Sequence, residues 1–435
     1  MKIQLPDTYS QSATVKQIAN SLEQRENKLH VKGLIGSSLS FVIDPLFRAS
    51  ELPFLLLFRD KEEAAYYLND LEQLVGDQDV LFYPGSYKRP YQIEETDNAN
   101  VLLRAEVLNR INSRKKPAII VSYAEAIFEK VVTRKELDKN TLKVAVGDQI
   151  SIDFINEVLF EYEFRRVDFV TEPGEFSVRG GIVDVFSFSN DNPYRLEFFG
   201  NEVDSIRTFD VATQLSLDRK KKITVIPNVE NKFLQEKRES FLEYISEKTV
   251  IFIQNTESLS AQLDLLYTKA GEAFEKLSKD IKHAAPEELF LNQQTFLKKA
   301  LDFTLVELGS KPTFKIGNSF EFKIQPQPSF NKQFDLLLNN LNDNHSNGYK
   351  NYIFCANDAQ AKRFHDIFES LDEENHENVR QQYKTIVFPL YEGFIDEENR
   401  IACYTDHQIF ERYHKFSIKN GYSKKQTITL KELNS

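Results

Sequence analysis

With 435 residues, the chain is too long for one ordinary core and implies about three domains. Hydrophobic residues make up 41%, and the 35 phenylalanines are enough to fill large cores. A formal net charge of −11 excludes a surface that grips nucleic acid throughout, because phosphate binding demands dense Lys and Arg, although a local basic patch stays open. The two cysteines, Cys355 and Cys403, are too few for a disulfide or metal framework and read as buried thiols in a reducing compartment. No apolar run approaches the ~20 residues that span a bilayer, and the polar stretch Met1–Thr14 lacks a signal-peptide core. A cytoplasmic protein is expected.

In chain order, the first signal is an alternation of short apolar runs with amphipathic stretches from Leu29 to about Ala126. Strands are expected at His30–Leu34, Leu52–Phe58, Val80–Tyr83 and Ala118–Val121, with helices at Lys61–Leu74 and Ala99–Ile111. That is the βαβ rhythm of a parallel sheet. The rhythm changes after about Val131. A short strand (Leu142–Val146) and a helix (Ser151–Glu161) precede three closely spaced runs, Arg165–Val170, Phe176–Phe188 and Tyr194–Phe199, with turns supplied by Pro173-Gly174, Gly180-Gly181, Asn190–Pro193 and Gly200-Asn201. This predicts an α+β insert built on an antiparallel sheet.

From Lys222 the α/β pattern resumes, with a buried strand at Thr249–Ile253 and a helix over Ser258–Leu277. The polar stretch Gln325–Ser329 reads as a linker to a second, small α/β unit with strands at Tyr352–Cys355, Thr385–Phe388 and Ile401–Tyr404 and a helix over Asp358–Leu371. The chain stops at Lys431–Ser435 without a closing element, which reads as a boundary between domains.

Two constellations bear on chemistry. Val31–Ser40 follows a strand and opens a helix, the context of a phosphate-binding loop. A working loop ends Gly-Lys-Ser/Thr, with the lysine on the β/γ phosphates and the hydroxyl on magnesium. Here Gly33, Gly36 and Ser37 lead to Ser38 at the glycine position, Leu39 at the lysine position and Ser40 at the hydroxyl position. Leu39 brings no charge to neutralise a transferring phosphoryl group. The strand that would supply the metal-holding acid runs instead into Gln254-Asn255, and the pairs Asp372-Glu373 and Asp396-Glu397 read as solvated turns. A degenerate loop and a coincidental glycine-rich turn fit these residues equally well. Backbone amides at Ser37–Leu39 would still suit a sulfate-sized anion.

The second constellation is Glu172–Phe186, EPGEFSVRGGIVDVF. Alternation places Val183 and Val185 on one face and Ile182, Asp184 and Phe186 on the other. Gly180-Gly181 would bend the strand and re-aim Arg179. With Arg165-Arg166 nearby, arginine beside an outward phenylalanine is the composition of a protein-binding hot spot. The competing reading makes Phe186 core and the arginines merely solvated.

That run, followed by Tyr194–Gly200 (YRLEFFG) and Val203–Asp210 (VDSIRTFD), resembles the UvrB-homology module of the bacterial transcription-repair coupling factors. Phe82-Tyr83-Pro84-Gly85 and Thr427–Leu433 support the resemblance, which is strong in the insert and weak from about Asn231 to Lys350. It implies an α/β architecture: a helicase-like (RecA-type) parallel-sheet domain interrupted by an α+β antiparallel insert, then a small α/β domain. The expected layout is domain 1A at residues 1–131, domain 2 at 132–217, domain 1B at 218–325, domain 3 at 326–426, and 427–435 as a linker toward a polymerase-interacting domain. The family's first domain is catalytically silent. The DNA-clamping hairpin of UvrB has no room here, since only Pro84–Thr96 separates strand from helix.

Domain 2 of the family binds UvrA. The UvrA-contacting positions match Arg165, Arg179 and Phe186, with Arg166 and Arg195 as neighbours. The resemblance therefore implies a UvrA-recruiting adaptor without a cofactor of its own. ATP and magnesium, the DNA translocase motor, and the contacts with RNA polymerase and DNA are expected beyond Ser435, as is a C-terminal domain that masks the UvrA face. Two rivals remain: an active UvrB-like helicase-family enzyme on damaged DNA, and a structural scaffold without affinity for UvrA.

Overall fold

The structure is a computed structural model. It describes residues 5–24, 27–86, 91, 98–113, 116–133, 135, 141–188, 190, 192–227, 237–277, 284–375 and 382–412. The span Pro84–Thr96, on which the hairpin argument rests, and the stretch 427–435 lie largely or wholly outside the described residues.

A seven-stranded sheet forms the first layer. Its order is Asn318–Glu321, Lys28–Lys32, Thr304–Leu308, Val250–Ile253, Phe54–Phe58, Ile119–Tyr123 and Val80–Phe82, every neighbouring pair parallel. Four of these strands are buried on both faces, as continuous runs such as FLLLF and VIFI require. Helices flank the sheet, and the helix Lys61–Leu74 starts on Asp60, whose carboxylate accepts the Glu63 amide at 2.9 Å. Strands from both sides of the insert thus complete one sheet.

The insert has a six-stranded sheet ordered Ser216–Lys220, Glu202–Phe209, Tyr194–Phe199, Ile182–Val185, Glu175–Arg179 and Arg165–Arg166. Its contacts are antiparallel except between the last two strands. One face packs on the helix Ile152–Glu161, through Ile155 and Leu159 from the helix and Phe176, Val183, Val185 and Leu196 from the sheet. A small second ribbon pairs Leu142–Ala145 with Lys222–Val225. The boundary expected at residue 217 therefore falls inside a strand of the insert, and the chain leaves the insert only after Val225. A charged, exposed edge strand (SLDRK) carries no apolar signal, which is why the sequence pattern ended the insert too early.

The small α/β unit holds a five-stranded sheet ordered Ile324–Pro326, Phe394–Asp396, Ile401–Thr405, Lys350–Cys355 and Tyr383–Val387. The expected linker Gln325–Ser329 is a further correction. Ile324–Pro326 is the sheet's edge strand, and buried Gln327 accepts the Thr405 amide at 2.8 Å. A proline is tolerated there because the edge leaves its missing N–H unneeded. Of the acidic pairs read as solvated turns, Glu397 does open an exposed turn, but the others sit in regular elements. Asp372 and Glu373 lie in the helix Asp358–Asn375, and buried Asp396 accepts the Tyr9 hydroxyl at 2.7 Å. Cys355 and Cys403 are buried free thiols, and burial pushes the Cys355 thiol up to about 12. Among the described residues no helix is long and apolar enough to cross a membrane.

Candidate functional site

The glycine-bearing loop sits where the sequence placed it, between the strand Lys28–Lys32 and the helix Ser38–Ser50. Gly33 and Gly36 adopt φ of +83° and +54°, a region that glycine enters without steric cost. The loop is closed. Ser37, Ser38 and Ser40 are fully buried and Leu39 belongs to the main core. The Ser37 amide donates to the Glu392 carbonyl at 3.2 Å, and the Glu392 amide donates back to Ser37 Oγ at 3.0 Å. The Ser38 amide is taken by the Ile35 carbonyl. A Cβ on Gly36 would lie 2.8 Å from the Glu392 Cβ, so the backbone that could have approached a phosphate approaches the small α/β unit instead. Of the amides proposed for an anion, those of Ser37 and Ser38 are engaged, and Leu39 offers no charge.

Tyrosines seal the same junction. Tyr66 stacks on Tyr391 with ring centroids 4.1 Å apart, and Tyr67 stacks on Phe58 at 4.5 Å and donates to the Gly36 carbonyl. Beneath them, wholly buried Asp70 accepts the Tyr391 amide at 3.0 Å, and burial pushes its carboxyl up to about 8, against the pull of Ser37, Tyr391 and Ser40. Next to Gln254, at the position where a metal-binding acid was sought, the neighbouring strand contributes Glu307. It is saturated by the Thr256 hydroxyl and the amides of Thr313 and Phe314, and so fixes a loop.

The insert's outer sheet face is different. Ser177, Asp184, Arg195, Arg207 and Arg219 stand in register across five strands, and Arg179 lies two residues beyond Ser177 on the same face. Arg165 is in register with Glu175 on this face, whereas Arg166 is in register with Phe176, whose ring meets Phe160 of the helix. The structure therefore brings Arg165, Arg179 and Arg195 together and leaves Arg166 on the other side.

Four of these arginines have a carboxylate partner. Arg165 pairs with Glu175, Arg207 with Glu197, and both Arg179 and Arg195 with Asp184. Burial pushes the Glu175 carboxyl up, but donors from Thr171, Arg165 and Glu172 outweigh it and hold it below the usual carboxylate range. Arg165 and Arg179 keep 69% and 39% of their side chains exposed, against 16% for Arg195. The Arg179 guanidinium lies 5.2 Å from the ring of Phe169, itself 60% exposed.

Phe186 departs from expectation. Alternation puts it on the outer face as predicted, yet it is completely buried. The segment after Arg166 folds back over the sheet, and Val170, Phe186 and Phe209 form a cluster separate from the main core, flanked by Val167 and Val211. A side chain sealed in this way cannot touch a partner. Phe169, unremarked in the sequence, is an exposed aromatic beside Arg179. Its signal was positional: it is the residue beside Val170 that the fold-back turns outward. Asp184 was assigned to the face by alternation, but its role was missed because two arginines from different strands meet on it only after the hairpin register is known.

Comparison with known proteins finds similarity over this region. Residues 142–230 match the model described as UvrB interaction domain. The transcription-repair-coupling factor of Bacillus subtilis is 28% identical over 62% of this chain and 23% of its own length. That of Myxococcus xanthus is 31% identical over 46% of this chain and 17% of its own length. UvrABC system protein B of Clostridium botulinum (strain Langeland) is 26% identical over 51% of this chain and 35% of its own length. The chain thus matches under a quarter of the length of either coupling factor. Residues 142–230 thus resemble a UvrB interaction domain, on a chain similar to the transcription-repair-coupling factors and to UvrABC system protein B.

Proposed function

We propose that the chain is an adaptor that recruits UvrA to stalled transcription through the outer face of its insert, and that it does not turn over ATP. The observation carrying this reading is the grouping of exposed Arg165 and Arg179 with exposed Phe169 on one face of the segment that matches the UvrB interaction domain. Arginine and aromatic side chains in one patch supply the anchors that dominate protein interfaces. The absence of turnover rests on buried, uncharged Leu39 and on a Ser37 amide already engaged by the Glu392 carbonyl. In this reading ATP and magnesium belong to a motor outside the chain, which also holds the contacts with RNA polymerase and DNA and a C-terminal domain that covers the arginine face until UvrA competes for it.

The test is titration of purified UvrA with the whole chain. Arg179→Ala should weaken binding about 30-fold, the order of a hot-spot truncation near 2 kcal/mol. Binding unchanged by Arg179→Ala and by Phe169→Ala together would overturn the site. ATP hydrolysis by the purified chain, stimulated by DNA and abolished by Ser40→Ala, would favour the helicase-like alternative.

A further inference from the structure

The docking reading says which residues face outward; the geometry also says what holds them there. Asp184 is completely buried at the centre of the face. Its Oδ2 accepts Arg179 Nη2 at 2.5 Å and Arg195 Nη2 at 2.8 Å, and its Oδ1 accepts Arg195 Nε at 2.7 Å. The remaining Arg195 nitrogen donates to the Gln214 carbonyl at 3.4 Å, and the guanidinium lies 4.4 Å over the ring of Phe209. Phe209 in turn packs with Phe186 and Val170. A continuous line of contacts therefore runs from the small buried cluster through Arg195 and Asp184 to Arg179, and only its last member is substantially exposed.

We infer that Asp184 is the positioning residue of the docking face, holding Arg179 as a preset fork for a carboxylate that sits beside an apolar side chain on the partner. The inference rests on the docking reading above. Two physical effects support it. A free arginine gives up much rotamer freedom when it is fixed in an interface, whereas one already held by a buried carboxylate has lost that freedom on folding, so less is lost on binding. Charge matters as well. A lone Asp184 would neutralise Arg179, but two guanidinium groups share one carboxylate, so a net positive charge remains to meet an anionic group. Arg195 thus keeps Arg179 attractive without touching the partner, and Phe186 acts one step further back, as the floor under Phe209. The exposed ring of Phe169 beside Arg179 provides the apolar contact.

The experiment is a double-mutant cycle on the whole chain with purified UvrA, read by calorimetry, with each variant's melting curve recorded. Asp184→Asn preserves shape and removes charge. It should weaken binding at least 10-fold, and should add nothing in an Arg179→Ala background. If Asp184→Asn unfolds the insert, Arg195→Lys decides, since lysine keeps the charge but gives only a point contact. Its expected loss is a few-fold, again confined to the background that retains Arg179. Equal losses with and without Arg179 would mean that Asp184 and Arg195 merely stabilise the insert, overturning the inference and leaving the docking reading intact. No UvrA binding by the unaltered chain would overturn the docking reading, and the inference with it.

Discussion

The glycine-bearing loop and the insert's outer face are both places where a strand meets a potential ligand, and they have opposite fates. In the loop the side chains and amides described above are turned inward. The Ser37 amide bonds Glu392, Leu39 joins the core, and Asp70 is buried where burial favours its neutral form. On the insert, charges stay half in water, each with a carboxylate that orients it while leaving an edge outward. A polar group is available for recognition only if the fold has not already satisfied it. The same hydrogen-bonding rule that closes the loop holds the arginines open, because their partners lie behind them rather than in front.

The sharpest way to break this contrast is to remove the floor of the open face. Phe186→Ala should destabilise the insert by roughly 3–5 kcal/mol, as for other fully buried phenylalanines, measured by denaturant unfolding. Exposed Phe154→Ala and Phe199→Ala should stay within about 0.5 kcal/mol. A small loss for Phe186 would return it to the list of direct contacts. Next comes the closed loop: Gly36→Ala places a Cβ against Glu392 at a positive φ and should cost about 1–3 kcal/mol in thermal unfolding. A neutral result would show the loop open enough for a ligand.

Asp70 gives a pH-dependent version of the same test. Its folded pKa, about 8, lies above its unfolded value, so the folded chain holds a proton that the unfolded chain has released. The stability this confers is complete below about pH 4 and is lost as pH rises toward 8. His407 works in the other direction, since burial pulls it down to about 4. Its contribution is lost only as pH falls below about 6.5, so the window from pH 6.5 to 8 isolates the raised carboxyls. There, stability should fall by up to ~1.4 kcal/mol per pH unit from Asp70 alone, and Asp70→Asn should flatten the slope. An unchanged slope would mean that Asp70 is ionised and the junction is wetter than its burial indicates. The smallest effect is expected from Arg166→Ala, which should change UvrA affinity by less than about 0.5 kcal/mol, because Arg166 lies on the helix side of the sheet. A loss matching that of Arg179→Ala would place the partner across both faces.

Periodicity revealed much of this. The strands Phe54–Phe58 and Val250–Ile253 and the helix Lys61–Leu74 were legible because apolar runs of strand length and a 3.6-residue stripe have few alternative burials. Leu39 announced a loop without its cation. What escaped was tertiary. The charged edge strand Ser216–Lys220 has no hydrophobic pattern, and Gln325–Pro326 looks like a linker until an edge of the sheet needs it. Phe186 shows the limit most plainly: alternation assigns a face, but whether another segment folds over that face depends on a crossing of chain that no local pattern encodes.

The seating of Glu392 in the glycine-bearing loop has a mechanical consequence. Residues 389–393 enter the loop instead of resting against it, with the Asn69 side chain on the Pro389 carbonyl and Tyr9 on Asp396 as outer fastenings. The two α/β units cannot swivel at this point without first withdrawing a backbone segment and wetting Asp70. A pull on the small unit would therefore act on the large sheet through these same contacts, like a handle pinned to its blade.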